Sequence, residues 1–194
     1  AFGDAVYRGS MGRARLNAPV VGIAPTASGR GYWLAAADGG VFAFGDARFA
    51  GSAASLRLGG KIAGIAGTPT GAGYRLVGTD GGLFAFGDAR FAGSAAGLPL
   101  RSAVVGVTAT PSGRGYWMAA SDGGVFAFGD AVFAGSAAAA RLVSPVRALA
   151  ASAGGGYWLA GEDGGVFALG APFLGSLATN NLRSPVVAAA AVPR

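Results

Sequence analysis

An all-β repeat fold is predicted by three features of this sequence. The string "AFGD" starts at Ala1, Ala43, Ala85 and Ala127, a constant step of 42 residues, and a worn copy, "ALGA", follows at Ala168. Apolar residues inside each copy alternate with a period of two, as in "VFAF" from Val41, which is the spacing of a strand. Glycine makes up 37 of the 194 residues; it breaks nearly every helix-length window and supplies turns. A fixed period of this length marks one supersecondary unit that buries its faces against its neighbours.

Each unit reads as four short strands. The first is "PVVGIAPT" from Pro19, apolar and β-branched, with small residues in one register (Val20, Gly22, Ala24) that suit strands crowded near an axis. "SGRG" turns the chain into "YWLAAA", Tyr32–Ala37. There Tyr32, Leu34 and Ala36 oppose Trp33, Ala35 and Ala37. Next comes "DGG", a hairpin turn in which Asp38 bonds its own backbone and Gly39 or Gly40 takes a positive φ. The same turn recurs at Asp80, Gly81 and Gly82, at Asp122, Gly123 and Gly124, and at Asp163, Gly164 and Gly165. "VFAF" is the third strand, "GD" a tight turn, and "ARFAGS", Ala47–Ser52, the fourth strand.

Four strands per unit is the pattern of a β-propeller blade. Residues 1–194 then form one domain, with a partial blade at 1–18, repeats starting near 19, 61, 103 and 145, and a terminal strand at 185–192. The first residues spell strands three and four, and "SPVVAAAAV" spells strand one. Combined, they predict a five-bladed ring latched by a mixed N- and C-terminal blade that lacks its second strand. An arc of a larger ring fits the same pattern. The sequence opens inside a repeat, with no initiator Met and no signal peptide, and is read as a processed product or part of a longer chain.

Composition narrows the chemistry. There is no His and no Cys, which removes serine–histidine triads, His-containing zinc sites and thiol chemistry. No apolar run approaches the ~20 residues of a membrane span. Net charge is +6, carried by arginines and one lysine, Lys61. A basic balance permits anionic partners, but basic and aromatic residues are not interleaved as in a single-strand nucleic-acid reader, so nucleic acid is not expected. Acids sit almost wholly in the "DGG" and "FGD" turns, leaving Glu162 as the spare one. One Asp per turn makes no calcium cage and places no carboxylate pair. No metal, cofactor or catalytic residue is expected.

"GYWLAAADGGVFAFGDARFAGS" and its copies resemble the "GYWLVASDGGVFAFGDA"-type repeats of secreted actinobacterial proteins, over nearly the whole chain. That resemblance implies a secreted or cell-surface, non-catalytic propeller module, often accompanied by cell-wall hydrolases or peptidases. A fainter resemblance to the docking motif of quinoprotein propellers runs through Ala36, Asp38, Gly40 and Phe44, without the acids of the quinone site.

The candidate ligand-binding residues are the aromatic pairs Tyr32–Trp33, Tyr116–Trp117 and Tyr157–Trp158, with Tyr74–Arg75 in the second copy, and the turn arginines Arg30 and Arg114. A core rarely accepts an unpaired Arg, so this position is expected at least partly open, where Trp stacks on sugar rings and Arg pairs with carboxylates. The other reading is that Trp fills the seam between blades and Arg75 snorkels outward. A binding module for cell-surface or cell-wall glycan is the expected function, and a structural or protein-interaction subunit beside a partner enzyme is the alternative.

Overall fold

The computed structural model describes residues 3–180 and 182–190. Its strands are β1 (Val20–Pro25), β2 (Gly31–Ala36), β3 (Val41–Gly45), β4 (Ile62–Gly67), β5 (Tyr74–Gly78), β6 (Leu83–Phe86), β7 (Val104–Ala109), β8 (Tyr116–Ala120), β9 (Val125–Phe128), β10 (Val146–Ala151), β11 (Tyr157–Gly161) and β12 (Val166–Leu169). They form four three-stranded antiparallel sheets, each a consecutive triplet. No helix occurs among the described residues. This repeated arrangement is compatible with a β-propeller-like fold.

Register repeats with the sequence. Tyr32, Trp33 and Leu34 face Phe44, Ala43 and Phe42 across β2 and β3, and Tyr116, Trp117 and Met118 face Phe128, Ala127 and Phe126 across β8 and β9. Every first strand carries an irregularity at its start, between Val20 and Gly22 in β1 and between Val146 and Ala148 in β10. The hairpin at "DGG" is closed by Ala36 N–H to the Gly40 carbonyl (2.8 Å) and Gly39 N–H to the Ala36 carbonyl (3.0 Å). Asp38 Oδ1 accepts the Gly40 N–H at 3.0 Å, as Asp80, Asp122 and Asp163 do from Gly82, Gly124 and Gly165. The positive φ belongs to Gly39 (+89°), not to Gly40. A Cβ at Gly39 would also lie 2.8 Å from the Ala53 backbone, so valine there meets both strain and a clash.

The sheets stack in sequence order, with β4 against β1 and β7, and β7 against β10. Small residues let these first strands approach: a Cβ at Gly22 would sit 3.1 Å from Ile65 Cγ2. Backbone bonds staple neighbours together, as Ile62 N–H donates to the Ala37 carbonyl (3.0 Å) and Val104 N–H to the Thr79 carbonyl (3.0 Å). Each gap between sheets holds one apolar core. Trp33, Tyr74 and Leu76 fill the first, Val77, Tyr116 and Met118 the second, Trp117, Tyr157 and Leu159 the third. The outer face of the first sheet lacks such cover: Ile23 is 63% exposed, whereas its counterpart Ile65 is 8% exposed.

Two expectations are corrected. Ala47–Ser52 and its copies form no strand; side chains, not a sheet ladder, hold these segments, so each sheet has three strands. No mixed blade is formed among the described residues either. Residues 186–190 carry no strand, and among the described residues no backbone hydrogen bond joins them to the N-terminal segment. Val186 N–H instead donates to the Glu162 carbonyl at 2.9 Å, continuing the stack past the fourth sheet. The predicted partial blade at 1–18 and terminal strand at 185–192 extend, at residues 1–2 and 191–192, outside the described residues.

Candidate functional site

The aromatic pairs lie in the seams. Strand alternation sends Tyr toward the preceding sheet and Trp toward the following one. Trp33 is 0% and Trp117 2% exposed, so the expected opening to solvent is absent at both. Trp33 meets Tyr74 with ring centroids 5.2 Å apart, and Trp117 meets Tyr157 at 5.5 Å, both tilted. Among the described residues no sheet stands before Tyr32 or after Trp158, and both side chains are only partly buried.

Arg75 does not snorkel; it is wholly buried. Its guanidinium carbon lies 5.1 Å from the Tyr116 ring centroid, a cation–π contact in the place of the indole–phenol contact. Nε donates to the Arg90 carbonyl (3.1 Å) and one terminal nitrogen to the Gly113 carbonyl (2.7 Å). The other terminal nitrogen, Nη1, is buried without a partner among the described residues. Burial lowers the Arg75 pKa from its ordinary value, opposed by Tyr116 and Asp88.

These side chains position the outer links. Trp33 Nε1 donates to the Arg48 carbonyl (2.8 Å), Trp117 Nε1 to the Val132 carbonyl (2.9 Å) and Trp158 Nε1 to the Pro172 carbonyl (2.8 Å). From the other side, the Tyr74 hydroxyl donates to the Gly51 carbonyl (2.5 Å) and accepts from the Ala50 N–H (3.2 Å). Tyr116 and Tyr157 do the same to Gly93 and Ala92, and to Gly135 and Ala134. Burial raises the pKa of Tyr74, Tyr116 and Tyr157.

The residue after each pinned carbonyl projects outward. Phe49, Phe91, Phe133 and Phe173, with Tyr7 at the matching place before them, are 57–65% exposed. The sequence reading assigned these phenylalanines to a fourth strand and did not consider them as site residues. The glycine two places on was the available signal: Gly9, Gly51, Gly93, Gly135 and Gly175 all take a positive φ, which breaks a strand. Arg48 and Arg90 stand exposed beside Phe49 and Phe91.

Arg30 and Arg114 are exposed and lie 3.7 Å and 3.3 Å from Asp46 and Asp130. Both aspartates clamp the turn between their repeat's first and second strands. Asp46 accepts from Thr26 (2.9 Å) and Ser28 (2.5 Å), and Asp130 from Thr110 (2.9 Å) and Ser112 (2.5 Å). Hydrogen bonds from Ser28 to Asp46 and from Ser112 to Asp130 are the main reason both carboxyls titrate below 3.8. The fourth repeat has Ala171 in place of the Asp and Gly154 in place of the Ser, so clamp and partner are missing together. Glu162, the spare acid, pairs with Arg147 (2.5 Å from Nε).

Among the described residues no three His, Cys, Asp or Glu side chains gather, and no helix is long and apolar enough to cross a membrane. Two cavities flank the stack. One of about 340 Å³ lies beside the first sheet, between Met11, Leu16, Phe42 and Phe49. The other, about 770 Å³ and mostly apolar, lies beyond the fourth sheet, between Trp158, Leu174, Gly175 and Ala189. No protein-family model matches the chain, and no curated protein matches it.

Proposed function

We propose that this chain is a non-catalytic extracellular binding module for cell-surface or cell-wall glycan, built as consecutive blades of a propeller-type stack. Residues 186–190 begin a fifth blade in this reading, because Val186 bonds Glu162 as Ile62 bonds Ala37. The observation that carries the function is the recurrence of one exposed ring per repeat at Tyr7, Phe49, Phe91, Phe133 and Phe173. Aromatic faces stack on the C–H faces of sugars, and evenly repeated rings suit a polymer of repeating units. Arg48 and Arg90 beside two of the rings favour an anionic polymer. The resemblance to secreted actinobacterial repeats supports the extracellular setting. The role of Trp33 and Trp117 in this reading is to hold the links that present the rings.

Sedimentation with purified cell wall and a glycan array test the reading. The Phe49→Ala, Phe91→Ala, Phe133→Ala triple variant should keep its melting temperature, since exposed positions contribute within about 0.5 kcal/mol each, and should lose glycan retention. Retention unchanged by the triple variant, or no retention by the native chain, would remove the glycan reading. The alternative, a structural or protein-interaction subunit, is favoured by the apolar cavity beside Trp158. A stable co-purifying protein with no glycan retention supports it.

A further inference from the structure

The chain between one sheet and the next is fixed twice at the end of the stack where the "DGG" hairpins lie. Ala53, Ala95 and Ala137 N–H donate to the carbonyls of the hairpin glycines Gly39, Gly81 and Gly123 (2.9–3.0 Å). Ile62, Val104 and Val146 N–H donate to Ala37, Thr79 and Ser121, the residues just before the hairpins (2.9–3.0 Å). The segments 53–61, 95–103 and 137–145 therefore lie side by side at this end. One leucine of each, Leu58, Leu100 or Leu142, packs against the seam core. A second aliphatic side chain does not turn inward: Leu56 and Leu98 are 50% and Val143 is 92% exposed. Arg57, Lys61, Arg101 and Arg141 stand exposed in the same segments, in no ion pair among the described residues. The aspartates of this end accept the Gly N–H of their own turns, and Glu162 pairs with Arg147. The opposite end differs. Arg30 and Arg114 lie against Asp46 and Asp130 there, and its turns, 26–30, 68–72 and 110–114, contain no Leu, Ile or Val.

We propose that the hairpin end of the stack docks on an anionic lipid surface. Leu56, Leu98 and Val143 enter the boundary between headgroups and acyl chains, and Arg57, Lys61, Arg101 and Arg141 meet the lipid phosphates. The aliphatic tips favour lipid over a soluble polyanion. A charged glycan or a nucleic acid satisfies the cations but is stacked by flat aromatic rings, and the three segments contain none. At a bilayer interface apolar burial and attraction of basic residues act together. Each tip is small, so the three act as one multivalent contact. This surface is separate from the glycan reading, which rests on Phe49, Phe91 and Phe133.

Cosedimentation of the full chain with vesicles of phosphatidylcholine, alone or mixed with phosphatidylglycerol, tests the proposal. Binding to the mixed vesicles, weakened by added salt, is expected, with little on phosphatidylcholine alone. Replacing Arg57, Lys61, Arg101 and Arg141 together by Gln should lower partitioning at least about a hundredfold, at about fivefold per cation. The Leu56→Ser, Leu98→Ser, Val143→Ser variant should lower it at least about tenfold with its melting temperature kept. The Phe49→Ala, Phe91→Ala, Phe133→Ala variant should bind vesicles as the native chain does, which separates this surface from glycan retention. The chain has no Cys, so a polarity-sensitive dye can be placed at Leu98→Cys, or at Ala27→Cys on the opposite end. Emission should move to the blue with mixed vesicles at Leu98→Cys only, and this readout decides should the serine variant fail to fold. No binding to mixed vesicles, binding unchanged in a folded serine variant, or equal dye shifts at the two ends would overturn the proposal. Loss of binding in the phenylalanine variant alone would move the contact to the rings and overturn it. Retention on dextran sulfate that the serine substitutions leave intact, without vesicle binding, would assign the cations to a soluble polyanion and overturn it as well.

Discussion

The seam between the third and fourth sheets is closed by an indole, and the seam between the second and third by a guanidinium. Both groups are flat, both donate an N–H to the carbonyl that precedes an exposed phenylalanine, and both lie against the tyrosine of the next sheet. The position therefore demands a planar donor of a given reach, not a tryptophan as such. The two differ in cost. Trp117 brings one N–H, which is met, whereas Arg75 brings a charge into a buried seam and leaves Nη1 without a partner among the described residues. Burying a charge is tolerated only when its donors are met, and the Gly113 carbonyl meets one of them.

The largest test of this comparison is Trp117→Ala. It empties a closed seam and strips the Val132 carbonyl of its donor, so urea unfolding should show a loss of about 3–5 kcal/mol. A loss below about 1 kcal/mol would mean the seam is not closed in solution.

Arg75 separates planarity from charge. Arg75→Lys keeps the charge but loses the fork and the stacked plane, and should cost about 2–4 kcal/mol. Arg75→Trp restores the group found in the other repeats. It should lie within about 1 kcal/mol of the native chain or above it, and a Lys variant more stable than the Trp variant would overturn the planar-donor account.

Trp158→Ala should cost only about 1–2 kcal/mol by the same measurement, because its ring is partly in water already and less area is lost. Equality with Trp117→Ala would mean that the open face is covered in solution.

Alkaline pH should act on the closed seams. Burial raises the pKa of Tyr74, Tyr116 and Tyr157 above 10.0. Their unfolded phenols ionise first, so stability present at neutral pH is lost as pH rises past 10.0 toward the raised folded values. The urea midpoint should fall from pH 9 to pH 11, and Tyr157→Phe should flatten that fall. The smallest effect is acidic. Asp46 and Asp130 titrate below 3.8 in the fold, so their contribution is present above that value and is lost as pH falls through the lowered one. Asp130→Asn should flatten the acid limb slightly.

Much of the frame was legible because it is local. Three of the four strands in each unit, the hairpin at "DGG" and the facing of Tyr against Trp all follow from period-two alternation and turn chemistry. The site was not legible in the same way. Phe49 looked like a strand residue, and nothing within its own link states that Trp33 and Tyr74 hold it from two different sheets. Arg75 looked like a sign of exposure, because sequence shows the charge but not the two carbonyls 15 and 38 residues away that receive its N–H groups.

By itself, then, the sequence determined the 42-residue period, the all-β class and the turns, since each depends on residues only a few places apart. The tertiary structure alone decided that "ARFAGS" is a side-chain-held link, that Trp33, Trp117 and Arg75 are buried, that the phenylalanines face water and that, among the described residues, 186–190 do not pair with the N-terminal segment. These outcomes depend on how one sheet meets the next, and the burial of a group is set by what lies across the gap.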